Sequence, residues 1–223
     1  MRTILAPEAN QKTKIQKIAF NTVEMLREGA VIGIGVENSY VAIADPTSEF
    51  GVVEFRSIKN YDEDYYYPVF VSAVEDLIGF VSIISSTEKL LASSFWPGLL
   101  NIEFKAKREL PHNLGAENPP TSLVARKPKN PLLNAITDLM GPVIYTTLLN
   151  ENGDPIKELN ELSPRIKRIL TLGINSGNIK SHRKATLISC VGDFPKVVRE
   201  GAVPNWKVKK IVSSLQVSSL QEN

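Results

Sequence analysis

A helix-length apolar stripe that runs straight into a strand constrains this chain more than any other stretch. Residues 11–28, QKTKIQKIAFNTVEMLRE, place Ile15, Ile18, Ala19, Val23 and Leu26 at helical spacing. Gly29 follows as a C-terminal stop, and AVIGIGV (30–36) then reads as a buried strand. The pattern recurs at 130–149, where NPLLNAITDLMG is a short amphipathic helix, Gly141 comes after it, and PVIYTTLL is another strand. LLNIEFKA (99–106) and TSLVARKP (121–128) read as strands separated by a Pro/Asn/Gly loop, and KATLISCVG (184–192) and PKVVREGAV (195–203) close the sheet. VSAVEDLIGFVSI (71–83) begins extended and turns helical, and residues 150–165 are a loop leading into a helix that ends near Leu172. Such alternation predicts a mixed α/β domain over an all-α or all-β one. No repeat or linker divides it. The expected division is a lead-in at 1–13, one domain over 14–204, and a C-terminal tail at 205–223 whose last ten or so residues, SSLQVSSLQEN, fray.

With 223 residues, 43% of them hydrophobic and 22% charged, the chain can bury a core without a metal or disulfide staple. The lone Cys190 has no intrachain partner, and one cysteine with two histidines makes no zinc-type cluster. A reducing cytoplasm is the expected setting. No apolar run reaches the ~18 residues of a membrane span. MRTILAPEANQKTK has too short an apolar core for a secretory signal. A net charge of +2 by itself points to neither nucleic acid nor membrane.

SIKNYDEDYYYPVFV (57–71) is the odd stretch: Lys59 stands ahead of Asp62, Glu63, Asp64 and three consecutive tyrosines, Tyr65 to Tyr67. A surface turn does not normally spend so many aromatics, nor a phosphate-gripping loop so many acids. The order of landmarks around it identifies what Lys59 belongs to. LREGAV, YVAIADP, a lysine, FWPGLL, ARKPKNP, MGPVIYTTLLNENGDP, KATLISCVGD and VVREGAV follow in turn. The chain from about residue 14 to 204 resembles the YrdC-like family of L-threonylcarbamoyladenylate synthases, whose longer members carry a second domain that this chain is too short to hold. The family's P-T-D-T-x-Y-G reads here from Gly35 to Val41, with Val36 replacing a hydroxyl residue, Glu37 replacing Asp, Asn38 replacing Thr, and Tyr40 kept. In K-G-R-P, Lys59 is kept while Asn60 and Tyr61 replace Gly and Arg. W-P-G-P-x-T keeps Trp96-Pro97-Gly98 but ends in Asn101, and R-x-P-x-H-P keeps Arg126 while Asn130 replaces His. T-S-A-N-x-S-G keeps Thr147 and Asn150 with Leu148 for Ser; S-T-V-V-D keeps Thr186 with Ala185 for Ser; and the closing R-x-G-A is intact from Arg199.

The resemblance implies a YrdC-like twisted mixed sheet with flanking helices around a concave basic cavity. It also implies a nucleotidyltransferase that makes threonylcarbamoyl-AMP from ATP, bicarbonate and L-threonine for threonylcarbamoyladenosine in tRNA. A carbamate oxygen attacks the α-phosphorus without a covalent enzyme intermediate, so positioning and charge stabilisation carry the chemistry. By resemblance, Lys59, Arg126 and Asn150 are the catalytic candidates. Lys59, Arg126, Thr147, Asn150, Thr186 and Arg199 would hold ATP, with Mg²⁺ bridging its phosphates. Glu37, Asn38, Tyr40 and Asn101 would face the amino-acid substrate, and no side chain is assigned to a metal. Plainer roles exist for several of these: Asn150 suits a turn, Thr147 and Thr186 suit strands, and Tyr40 suits packing. His112 and His182 match nothing in the family. The lost motif residues leave two other readings open. One is a non-catalytic paralogue that binds RNA, tRNA-modification proteins or another partner through the cavity. The other is a nucleotidyl transfer to a different acid.

Overall fold

The computed structural model describes residues 1–59, 65–112, 114, 116, 118–181 and 183–221. Asn60, Tyr61, the acids at 62–64 and His182 therefore lie outside the described residues. The first apolar stripe forms helix α1 (Lys12–Arg27), which buries Ile15, Ala19, Thr22, Val23 and Leu26. Gly29 stops it at φ +90°, where a Cβ would also lie 2.8 Å from the Phe50 ring. The chain then enters β2 (Ile32–Gly35), buried at every position, and turns back antiparallel as β3 (Tyr40–Ala44). Later come α2 (Glu49–Arg56), the two-residue β4 (Val69–Phe70), α3 (Ser86–Phe95), β5 (Leu100–Lys105) and β6 (Ser122–Arg126).

Helix α4 (Pro131–Met140) starts where expected. The Asn130 side chain accepts from the Leu133 N–H at 3.0 Å as the N-cap, with proline in the first turn. Asn130 Nδ2 also donates to the Gly35 carbonyl at 2.6 Å, tying the helix start to the end of β2. Strand β7 (Val143–Thr147) follows, then α5 (Pro164–Ile169), β8 (Leu172–Asn175), β9 (Thr186–Ser189), β10 (Lys196–Arg199) and α6 (Asn205–Gln221).

With β1 (Arg2–Leu5), the strands make one ten-stranded mixed sheet in the order β1-β8-β2-β3-β7-β4-β6-β5-β9-β10. Helices α1 and α4 cover one face, where Ile15, Val23, Leu133 and Ile136 meet Ile32, Ile34 and Val143. A second apolar cluster holds Tyr40, Phe55, Tyr67, Phe104, Leu123 and Ile188. Burying side chains of this size stabilises the fold by about 1.5–3 kcal/mol each.

Three expectations need correction. The helix expected to end near Leu172 ends at Ile169, because Leu172 and Ile174 are required as buried residues of β8 between β1 and β2. A short apolar run does not distinguish helix from strand, and here the parallel sheet claims it. The lead-in is not outside the sheet: Arg2 to Leu5 pair in register with Leu172 to Asn175. Most of the tail at 205–223 is helix α6, which buries Val208 in the larger apolar cluster. The R-x-G-A segment has a packing reason: a Cβ on Gly201 would strike the Lys184 carbonyl and lie 2.7 Å from Thr186 N.

Candidate functional site

A cavity of about 960 Å³ opens over the middle of the sheet. Its walls come from the turn between β2 and β3, the end of α2, strands β5, β6 and β7, the loop after β7, and the segments flanking β9 and β10. Lys59, Asn101, Arg126, Thr147, Asn150 and Arg199 all line it, as does Asn38. Residues spread along most of the chain are thus brought to one concavity by strand order.

Three of these groups already have local duties. The Arg199 guanidinium donates to the Ala185 carbonyl at 3.0 and 3.2 Å. Asn150 Oδ1 accepts from the N–H groups of Asn152 and Asp154, both at 3.0 Å, so the turn reading is realised beside the cavity. Asn38 Nδ2 donates to the Arg183 carbonyl at 3.2 Å.

Three expected ligands lie elsewhere. Thr186 is fully buried; its hydroxyl donates to the Val203 carbonyl at 2.7 Å and accepts from the Val203 N–H at 3.0 Å. It therefore locks the closing segment to β9 and does not line the cavity. Tyr40 is also fully buried. Its hydroxyl accepts from Ser176 N–H at 2.9 Å and lies 2.8 Å from the Gly177 carbonyl that it donates to, which makes it a strut between β3 and the end of β8. Glu37 is not among the lining residues. Its Oε2 takes Arg126 Nη2 at 2.7 Å, and its Oε1 accepts from the Lys129 N–H at 2.9 Å. Val36 and Leu148, which stand where the family has hydroxyls, are both buried in the apolar clusters.

Arg126 also lines the cavity and is only 3% exposed. Its guanidinium sits 5.4 Å above the Phe70 ring, and Phe70 stacks on Tyr145 at 3.7 Å. Strand β5 pairs Ile102 with Ala125, which puts Asn101 and Arg126 side by side on adjoining strands. Burial pushes the Tyr145 phenol above its ordinary value, against the pull of Arg126, a hydrogen bond with Asn101, and Arg199. Tyr145 is therefore a neutral hydrogen-bonding group at pH 7. Neither it nor Ser39, Lys157, Lys184, Asp154 and Glu161, which also line the cavity, was legible as a site residue. For Tyr145 a usable signal was present: it lies two positions before Thr147, on the same side of a strand.

The tyrosine run divides its labour. Tyr67 is buried edge-on to Phe55 at 4.8 Å, Tyr66 hydrogen-bonds Ser122 at 2.9 Å, and Tyr65 lines the cavity. His112 lies in a separate cavity of about 570 Å³, beside Asp45 and Phe80. Cys190 is half-buried, and burial, reinforced by Glu88 and Glu103, pushes its thiol up to about 12. Because the thiolate is the nucleophile, iodoacetamide at pH 8 should alkylate native Cys190 on the order of a hundredfold or more slower than the urea-unfolded chain. Mass spectrometry of timed samples measures this, and comparable rates in the two states would contradict it.

Among the described residues, no three His, Cys, Asp or Glu side chains gather to hold a metal ion. Among them, too, no helix is long and apolar enough to cross a membrane.

Residues 24–201 match the family model for Sua5, YciO and YrdC domains, whose description reads telomere recombination. Threonylcarbamoyl-AMP synthase of Bacillus subtilis (strain 168) is 23% identical over 201 residues, spanning 86% of this chain and 56% of that protein. The chain thus covers little more than half the length of this relative. Among solved structures, P. abyssi Sua5 complexed with L-threonine superposes with a TM-score of 0.77 at 18% identity, over 95% of this chain and 60% of that one. E. coli YciO superposes with a TM-score of 0.71 at 20% identity, over 91% of this chain and 95% of that one.

Proposed function

Since the chain belongs to the Sua5/YciO/YrdC family, we propose that it is a nucleotidyltransferase of the threonylcarbamoyl-AMP synthase type. It would take ATP, bicarbonate and L-threonine and supply threonylcarbamoyl-AMP for tRNA modification. The observation that carries this reading is the convergence of Lys59, Asn150 and Arg199 with Arg126 in one cavity. The threonine amine and bicarbonate condense to a carbamate with loss of water, and one carbamate oxygen attacks the α-phosphorus of ATP. The new bond is oxygen to phosphorus, the α–β anhydride breaks, and pyrophosphate leaves.

The protein's part is to hold the triphosphate in line and to match its charge. Lys59, Lys184 and Arg199 are cations on the cavity wall, where a partly desolvated concavity strengthens their hold on phosphate. A divalent cation enters as part of the nucleotide substrate. Asn101 and Tyr145 offer neutral hydrogen bonds for the amino-acid end.

The expected Mg·ATP affinity is roughly 0.1–1 mM, an ordinary nucleotide site discounted for two or three missing contacts at ~1.4 kcal/mol per tenfold. Calorimetric titration with Mg·ATP, followed by a pyrophosphate assay with threonine and bicarbonate, tests it. No binding at several millimolar would end the enzymatic reading and leave a partner-binding paralogue. That second reading has one specific observation in its favour: Arg126 is already engaged by a carboxylate of its own chain.

A further inference from the structure

The tyrosine run supplies the cavity with something its cations cannot, a flat aromatic ring. The run is held from both sides. The Tyr67 N–H donates to the Leu114 carbonyl at 3.0 Å, and the Pro68 carbonyl accepts from the Tyr145 N–H at 2.9 Å. Tyr67 is buried and meets Phe55 edge-on; Tyr65 in turn meets Tyr67 edge-on, with ring centres 5.1 Å apart at 78°. Tyr66, itself hydrogen-bonded to Ser122, lies nearly parallel to Tyr65, at 20° and 6.5 Å. Edge-to-face rings at this spacing attract each other, so the Tyr65 ring is oriented by a line of rings that reaches back into the core. Tyr65 nonetheless remains 38% exposed where it lines the cavity. Among the described residues, two aromatic side chains line this cavity, Tyr65 and Tyr145. Tyr145 is 7% exposed and has one face covered by Phe70, stacked on it at 3.7 Å and 6°. Tyr65 is the one with a ring to offer.

We propose that Tyr65 is a further substrate-contacting residue, the platform on which the nucleobase stacks. The inference rests on the cavity being the site of the proposed nucleotidyl transfer. Of the molecules in that transfer, only the nucleotide carries an aromatic ring; threonine, bicarbonate and pyrophosphate have none to lay on a tyrosine. Stacking needs no match of donors and acceptors, so this contact tolerates a change of base. A ring already held by its neighbours loses little freedom when the base arrives, which leaves more of the contact for affinity. The cations hold the phosphates through charge, and the ring adds to binding without drawing on them.

The test is a titration of the full chain with Mg·ATP and with magnesium tripolyphosphate, read by phosphorus-observed NMR. The second ligand keeps the phosphate chain and lacks the base and ribose. Tyr65→Ala should weaken Mg·ATP about tenfold, the lower part of the range for base–aromatic stacking, and leave tripolyphosphate within twofold. Tyr65→Phe keeps the ring and drops the hydroxyl, so both ligands should stay within twofold of the wild type. Equal losses for the two ligands in Tyr65→Ala would show that the ring only shapes the wall. A loss in Tyr65→Phe as large as in Tyr65→Ala would make the hydroxyl the contact. Either result overturns the assignment. So does an unchanged Mg·ATP affinity in Tyr65→Ala, a result that leaves the nucleotidyl-transfer reading standing. Failure of both ligands to bind the wild type removes that reading, and the stacking role falls with it.

Discussion

Arg126→Ala is expected to lower the folding stability by about 3 kcal/mol, the lower end of the range for removing one partner of a buried ion pair. The arginine side chain is 4% exposed and that of Glu37 17%, so the abandoned carboxylate keeps only the Lys129 N–H and partial access to water. Loss of the guanidinium above Phe70 adds a lost cation–π contact. For a domain of this size the change corresponds to a fall in Tm of roughly 6–12 °C. The double change Glu37→Leu, Arg126→Met removes both charges and should recover most of the loss, because two desolvated ions are replaced by apolar volume. Denaturant unfolding of the wild type, Glu37→Leu, Arg126→Met and the double variant gives the coupling directly. A cost below about 1 kcal/mol for Arg126→Ala would mean that the pair behaves as a screened surface contact.

Lys59→Ala is expected to weaken Mg·ATP binding by about 10–100-fold, the loss of one charge-assisted bond to phosphate at about 1.5–3 kcal/mol. Lys59 lies three residues past the end of α2 and lines the cavity, half-buried, so its ammonium acts in a setting less screened than the open surface. Lys17→Ala, on the exposed side of α1, removes the same charge far from the cavity and should leave the affinity within twofold. Titration of the three proteins at one ionic strength makes the comparison. Equal affinities for wild type and Lys59→Ala would remove Lys59 from the nucleotide site. The reverse experiment, restoring the family serine by Leu148→Ser, would not regain a phosphate contact: Leu148 is fully buried against Gly33, and a serine there would leave a cavity and an unmatched hydroxyl.

How much was legible follows from what each signal depends on. Helices α1 and α4 and strands β2, β5, β6, β7, β9 and β10 were readable because apolar periodicity and local stop signals suffice for them. Strands β1 and β8 were not, since four residues become a strand only when a partner distant in sequence lies beside them, as Arg2–Leu5 does against Leu172–Asn175. Helix α3 carries a capping box in which Ser85 and Glu88 bond reciprocally, a signal that was present in S-x-x-E but not used.

At the site, matched family positions led to Lys59, Arg126, Asn150 and Arg199, all of which line the cavity. The same matching pointed to Thr186 and Tyr40, which are buried and do not line the cavity, because a motif records where a residue stands and not where its hydroxyl is bonded. Glu37 shows a further limit. A carboxylate and an arginine 89 positions apart in sequence give no hint that they will sit 2.7 Å from each other.

The place of β8 in the sheet has a consequence for how the protein is made. It lies between β1 and β2, parallel to both, and supplies the only partner that β1 has among the described strands. Strand β1 must therefore wait, without this partner, until residues 172–175 have been synthesised. Until then the antiparallel β2–β3 hairpin can form locally, but β2 presents an open edge and the N-terminal segment has nowhere to dock. A nascent chain that stops short of Asn175 holds seven of the ten strands yet lacks the one that joins β1 to the rest, so completing this side of the sheet requires a late strand to enter between two early ones.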